Sequence, residues 1–343
     1  MDMTFFRSKS IKTLPVLVLM PHSACNCRCL MCDIWKSNSN LRSWDSDIFK
    51  KLENDIRSLR VREVVFSGGE ALLHPALFEF CTSLKSISDI KLTLLSTGLL
   101  LDRFARSITD HIDEVIVSLD GPAQIHDTIR NIPGGFEKIR VGIKSILTVK
   151  PEFNISARCV VQKSNFRFLK ELIIAAQDMG LRRLSFLPAD MHSQAFNHTS
   201  PLQSEQTDPI IPSPNELPDL RQSLSDIVKE FNNAFHTRWI SESPQKLLRI
   251  ADYYEAVHGL GSFKSPPCNA PWVSAVVESD GSVRPCFFHA SLGNFFNQPL
   301  PEILNGDDAI HFRKNLDISQ NSICQRCVCS LQYSRSIVDK LYF

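Results

Sequence analysis

Ala24-Cys25-Asn26-Cys27-Arg28-Cys29-Leu30-Met31-Cys32, set shortly after the apolar run Val16-Leu17-Val18-Leu19-Met20, is the stretch from which this chain is read. Cys25, Cys29 and Cys32 keep a C-x3-C-x2-C spacing. Three thiolates that close in sequence can cover one face of an iron–sulfur cube. No fourth cysteine follows at the next expected interval, so one iron keeps an open coordination position, the kind at which metal sites do chemistry. A zinc site built from Cys25, Cys27, Cys29 and Cys32 is the competing reading, but three of these lie two residues apart and crowd a tetrahedron. A lipoprotein signal is the other: Arg7, Lys9 and Lys12 precede Pro15–Met20, and Ser23-Ala24-Cys25 mimics a cleavage site. That apolar stretch falls short of a signal core of roughly 7–15 residues, and Pro21-His22 interrupts it.

Working outward, the 343 residues suffice for one large domain or one domain with a smaller module. Lys plus Arg, 38, balance Asp plus Glu, 37, so nothing advertises a polyanionic partner and no nucleic acid is expected. No apolar run approaches the roughly 20 residues of a membrane span, so no membrane partner and a cytoplasmic location are expected. Eleven cysteines, an odd number, in such a chain read as metal ligands rather than a disulfide scaffold.

Between 15 and 189 short β-rich runs alternate with amphipathic stretches. The pattern predicts strands at Pro15–Met20, Glu63–Ser67, Leu92–Ser96, Glu114–Leu119, Ile155–Val161 and Arg183–Leu187. It predicts helices over Asp45–Leu59 and over Phe166–Met179, the second capped by Ser164-Asn165 and stopped by Gly180. Parallel strands with right-handed crossovers would curl into a full or partial barrel, the α/β partial (β/α)6 TIM-like form being the one expected, and in such folds the chemistry lies at the carboxyl ends of the strands. The polar, proline-rich stretch 191–218 reads as a loop or lid. Ser213 and Glu216 form a capping box for a helix of 214–235, and Ser243 precedes a helix from Pro244 to His258, stopped by Gly259. The expected domains are 1–190, a linking region 191–262, and a small C-terminal α+β domain, 263–343, with a strand at Val273–Glu278 and five more cysteines.

Two further motifs end strands. Ser67-Gly68-Gly69-Glu70 offers glycines that let the backbone approach a ligand, with Glu70 and strand-edge carbonyls as acceptors for an ammonium group; a plain glycine turn is the other reading. Ser118-Leu119-Asp120-Gly121, followed by Arg130, offers a hydroxyl and a guanidinium able to hold a carboxylate; a turn with Arg130 on a solvated helix face is the alternative. His74-Pro75 reads as a helix start.

The ordered set Cys25/Cys29/Cys32, Ser67–Glu70, Ser96-Thr97-Gly98, Ser118–Gly121 and Ile125–Phe136 closely resembles radical S-adenosylmethionine (SAM) enzymes over residues 15–190. The resemblance implies that Cys25, Cys29 and Cys32 bind a [4Fe–4S] cluster whose fourth iron is chelated by the amine and carboxylate of SAM. It implies that Gly68, Gly69 and Glu70 meet the amine, Ser118 and Arg130 the carboxylate, and Asp120 or Thr97 the ribose. Met31 departs from the aromatic residue usual there, near the adenine, and Cys27 has no role in the family. Cys268, Cys286, Cys324 and Cys327, with Gly281 and Leu292–Phe295, resemble the SPASM/twitch extension of the same enzymes. That implies a second, auxiliary [4Fe–4S] cluster; a four-cysteine zinc site is the alternative. Cys329 is left over, and Cys81 and Cys159 read as packing residues.

What this implies is an oxidoreductase-type enzyme. It would cleave SAM reductively to a 5′-deoxyadenosyl radical, remove a substrate hydrogen and pass an electron to the auxiliary cluster. The expected partners are an external one-electron reductant of flavodoxin or ferredoxin type and a small-metabolite or natural-product substrate. A peptide substrate is the runner-up, weakened because only 24 residues precede Cys25 and leave no room there for a leader-binding domain. A zinc-binding protein without activity is the reading from another class.

Overall fold

Four successive apolar residues, Val16-Leu17-Val18-Leu19, form β1 (Val16–Leu19), and all four are buried. A strand that reads apolar without alternation must be covered on both faces, as in parallel sheets with crossover helices. In the computed structural model, which describes residues 10–87, 89–193, 195–197 and 207–332, β1 lies between two parallel neighbours. One is β2 (Glu63–Phe66), with Val16 opposite Glu63; β2 in turn pairs in parallel with β3 (Lys91–Ser96). The other comes from far along the chain: β7 (Ser274–Val277), with Val16 opposite Ser274.

The chain packs as two units, one made of the residues up to Cys25, Lys36–Leu94 and those from Ser265 onward, the other of Asn26–Trp35 and Leu95–Lys264. These cut across the expected boundaries at 190 and 262. The reason is the buried Ser-Ala-Val-Val strand β7: it satisfies its backbone by adding to β1 instead of founding a separate sheet. In the first unit the strand order is β3-β2-β1-β7-β8-β9, where β8 (Ser282–Arg284) and β9 (Gly293–Asn294) continue antiparallel. Val16, Val18 and Val276 form a shared core against which Phe287 and Leu331 pack, so the segments around the C-terminal cysteines rest on this sheet. Helix α1 (Ser46–Ser58) is capped by Asp45, whose carboxylate accepts the N–H groups of Asp47 and Ile48 at 3.0 and 2.9 Å. Its Phe49 stacks on Phe80 of α2 (Leu77–Ile87) with centroids 4.1 Å apart.

The second unit orders β4 (Glu114–Ser118), β5 (Asn154–Val161) and β6 (Leu184–Pro188) as parallel neighbours. Crossover helices α3 (Leu101–His111) and α5 (Gly135–Val149) pack closely at Gly142, where a Cβ would lie 2.6 Å from Leu101 Cβ. Between β4 and α5 runs α4 (Ala123–Arg130). The carboxyl ends of β5 and β6 are tied by Tyr254 of the helix Pro244–Val257: its hydroxyl donates to Val161 O at 2.5 Å and accepts Ala189 N–H at 2.9 Å.

Two predicted helix starts and ends differ. Asn165 does not cap. Its side chain turns inward, accepting Gln162 N–H at 2.7 Å and donating to Asp120 O and Val160 O at 2.8 and 2.9 Å. The chain then makes a 3-10 turn, Phe166–Phe168, before the helix Leu169–Asp178. The helix expected over 214–235 breaks at Phe231, which takes φ −105° and ψ 28°. The Ser213–Glu216 capping box, the Ser243 cap and a left-handed Gly259, φ +73°, are as expected. Cys81 and Cys159 are fully buried packing residues. Of the 191–218 stretch expected to be a loop or lid, 194 and 198–206 lie outside the described residues. Among the described residues no helix is long and apolar enough to cross a membrane.

Candidate functional site

In the first unit the Gly68-Gly69-Glu70 motif is pressed against the segment that leads into Cys25. Glu70 N–H donates to Ala24 O at 2.7 Å. A Cβ at Gly69 would fall 1.9 Å from Ala24 O, and one at Gly68, φ +115°, 2.9 Å from His22 O. The glycines thus admit another stretch of backbone, the one bearing the first cysteine. Glu70 is fully buried, and its Oε1 accepts Leu72 N–H at 3.2 Å, capping the turn Ala71–Leu73. Asn38, which the sequence did not single out, brackets Cys25: its Oδ1 accepts Cys25 N–H and its Nδ2 donates to Cys25 O, both at 2.9 Å. His74 packs as a structural residue, with Nε2 on Trp44 O at 2.9 Å and Nδ1 accepting Ala76 N–H at 3.1 Å.

In the second unit the remaining cysteines are laid along the end of α4. Arg28 N–H donates to Arg130 O and Leu30 N–H to Ile129 O, each at 3.2 Å, and Cys32 N–H closes a turn on Cys29 O at 3.3 Å. The helix ends where it does because Asn131 turns left-handed, φ +51°. Arg130 then points back under the loop. Its Nε donates to Asp120 Oδ2 at 2.6 Å and its Nη1 to Cys29 Sγ at 3.6 Å. Burial opposes its charge, but Asp120 and the Cys29 thiolate outweigh it and hold Arg130 above its ordinary value. A hydrogen bond from Cys27 brings Cys29 down to about 6; burial works against this and the Arg130 charge with it. Cys27, buried at 2% exposure, is therefore a neighbour of Cys29 with an effect on it, which spacing alone did not reveal.

Asp120 departs from its expected ribose role. It is fully buried, and both oxygens are taken, Oδ2 by Arg130 and Oδ1 by Val160 N–H at 2.9 Å. Its geometry is that of a bracket between α4 and β5. The expected two-pronged grip of Arg130 on a carboxylate is changed in the same way, because Nε is committed to Asp120. Thr97 donates to Asn26 Oδ1 at 2.9 Å, beside the cysteine loop, and Ser118 ends β4 half-buried. Met31 lies against the fully buried Gln162, whose Nε2 is 3.9 Å from its sulfur. The 191–218 stretch reaches this loop where Asn197 Nδ2 donates to Asp33 O at 3.2 Å.

Back in the first unit, Cys268, Cys286, Cys324, Cys327 and Cys329 are all free thiols. Asn321 Oδ1 accepts Ile323 and Cys324 N–H at 3.0 and 3.1 Å, and Cys327 N–H donates to Cys324 O at 3.3 Å, so one tight turn presents two of them. Burial pushes Cys286 up to about 11; the N–H groups of Phe288 and His289 oppose this, and Cys268 and Cys329 add to it. Burial, then Cys286 and Cys268, push Cys324 up to about 12. Cys327 is raised by burial and by Cys329. The thiols therefore feel one another as neighbours. His289, another residue the sequence passed over, sets Nε2 3.3 Å from Cys324 Sγ. Among the described residues no group of three or more His, Cys, Asp or Glu side chains is close enough to hold a single metal ion, so the donor chemistry decides what these thiols suit. Soft, unbridged thiols of this kind suit iron–sulfur clusters.

Comparison with known proteins agrees. The radical SAM superfamily matches residues 19–185, and the iron–sulfur cluster-binding domain SPASM matches residues 268–328. The chain belongs to the radical SAM superfamily. As a radical SAM protein with a SPASM domain it is an enzyme that uses SAM and two [4Fe–4S] clusters. A cysteine-type anaerobic sulfatase-maturating enzyme of Clostridium novyi is 25% identical over 341 residues, covering 92% of this chain and 86% of the relative. The subtilosin biosynthesis protein AlbA of Bacillus subtilis is 23% identical over 82% of this chain and 57% of its own length. Among solved structures, anSMEcpe with bound AdoMet and the Cp18Cys peptide superimposes with TM-score 0.64 at 18% identity, covering 91% of this chain and 88% of that one. The shared fold is the partial barrel expected from the strand–helix alternation.

Proposed function

We propose that this radical SAM enzyme modifies a residue of a polypeptide. The observation that carries the reading is the nearly end-to-end match to a sulfatase-maturating enzyme, whose substrate is itself a protein; the bacteriocin-biosynthesis relative supports the same class. The relatives support the runner-up of the sequence reading better than a small metabolite. Cys25, Cys29 and Cys32 are assigned to the SAM-binding cluster. Cys268, Cys286, Cys324 and Cys327 are assigned to the auxiliary one. The bound groups supply reductive cleavage of SAM, hydrogen abstraction by the 5′-deoxyadenosyl radical, and acceptance of one electron by the auxiliary cluster as the substrate gives up a proton. The chain's own residues position and charge the site. Gly68 and Gly69 hold the Cys25 segment and, with Glu70, edge the amine position. Arg130 keeps a positive charge at Cys29 and offers its terminal nitrogens, with Ser118, to a carboxylate. Thr97 edges the ribose, and Asp120 fixes Arg130.

Anaerobic reconstitution tests this. The wild type should hold about eight irons per chain, and replacing Cys25, Cys29 and Cys32 with Ala should leave about four and abolish 5′-deoxyadenosine formation. Retention of the full iron in that variant would refute the ligand assignment. Candidate peptides encoded beside this gene should raise 5′-deoxyadenosine formation and show a mass change. Stimulation by small metabolites, with none by peptides, would overturn the polypeptide reading.

A further inference from the structure

Resting on the assignment of Cys324 to the auxiliary cluster, we propose that His289 raises that cluster's reduction potential by donating its Nε2–H to the Cys324 sulfur. The imidazole is 5% exposed, with Nε2 3.3 Å from Sγ. A thiolate ligand has no proton to give, so the nitrogen facing it must carry the hydrogen. The ring is held in that orientation from two sides. Its face meets Phe312 edge-on, with centroids 4.9 Å apart and planes at 68°. Its backbone carbonyl accepts Arg284 Nη1 at 3.0 Å, and Arg284 is itself fixed by Glu278 Oε1 at 2.7 Å. The same short segment serves a second sulfur, since the N–H groups of Phe288 and His289 are directed at Cys286.

Such N–H···S bonds withdraw charge from ligand sulfur and favour the reduced, more negative cluster. Reduction here is the gain of one electron by the cluster; no bond to His289 forms or breaks and its proton stays on Nε2. A substrate radical formed during turnover would then hand over its electron more readily. His289 is thus a positioning and tuning residue that need not touch substrate.

The test is an EPR-monitored redox titration of the reconstituted full chain, comparing wild type with His289→Phe, which keeps an aromatic ring against Phe312 but no donor, and His289→Gln, which keeps an N–H. The SAM-binding cluster, identified by its spectral change on adding SAM, is the internal reference. His289→Phe should lower the auxiliary potential at unchanged iron content and leave the SAM-binding cluster where it was, with His289→Gln between. An auxiliary potential unmoved in His289→Phe would overturn the proposal, as would loss of the auxiliary cluster in both variants. A wild type that shows no second cluster would instead overturn the assignment of Cys324, and this proposal with it.

Discussion

The two groups of cysteines are charged by opposite means. Cys29 is drawn down to about 6, first by the hydrogen bond from Cys27 and then by the chain's own cation beside it, Arg130. Around Cys286 and Cys324 there are chiefly other thiols and burial, which push these two up to about 11 and 12. A ligand thiol must lose its proton to bind iron. Cys29 is shifted toward that state by the protein, whereas Cys286 and Cys324, as the proposed ligands of a cluster, would ionise as its cations arrive. At Cys29 the hydrogen bond from Cys27 acts first, and the charge of Arg130 adds to it.

Removing that arginine is the strongest way to break the contrast. Arg130→Met leaves the fully buried Asp120 carboxylate without its ion pair and should cost about 3–5 kcal/mol in urea unfolding of the apo chain. Asp120→Leu with Arg130→Met should recover part of this, and iron bound by the C-terminal cysteines should be unchanged. A loss well below about 1 kcal/mol, as for a surface pair, would show that Arg130 does not set the charge of this region.

His126 gives a pH test of the same cluster. Its Nδ1 accepts Asp120 N–H at 3.2 Å, and burial brings the imidazole down to about 4, with Asp120 pulling the other way. Below pH 6.5 the unfolded chain therefore takes up a proton that the folded chain refuses. The stability His126 shares is intact above that pH and is lost as pH falls toward 4, by about 2 kcal/mol at pH 5. Urea midpoints at pH 7 and pH 5 should show His126→Gln with a flatter dependence than the wild type; equal slopes would place the acid sensitivity elsewhere. The smallest effect is expected of Cys329→Ala. Exposed, and accepting the Cys327 thiol on its carbonyl at 2.5 Å, Cys329 is surplus to the four proposed ligands. Iron content should stay at about eight per chain, and a fall toward four would make Cys329 a ligand.

What was legible in the sequence followed local rules. The apolar run Val16–Leu19 and its counterparts up to Leu184–Pro188 read as strands, and Ser213 and Ser243 sit where caps belong. The cysteine motifs fall within the two regions that the family matches cover, and Cys25, Cys29 and Cys32 stand out because they are near neighbours in sequence. Long-range partners left no such trace. Nothing local tells that Ser274–Val277 joins β1, that Asn38 brackets Cys25, or that His289 meets Cys324. Asp120 was misread for a related reason: an acidic residue after a strand looks the same in sequence whether it faces a ligand or, as here, is consumed by Arg130 and Val160. Asn165, too, carries the residue type of a cap while its side chain joins strand ends.

The parallel pairing of β1 with β7 also sets a timetable for synthesis. When the ribosome has delivered β1, β2 and β3, the far edge of β1 still offers unpaired backbone groups, and it stays open until the residues around Ser274 emerge. The closing contact spans most of the chain, the kind of pairing that forms late. Val276, Phe287 and Leu331 then cover Val16 and Val18 together. The nascent chain thus spends most of its translation with an adhesive edge, and the strand that silences it arrives together with the segment bearing the last five cysteines.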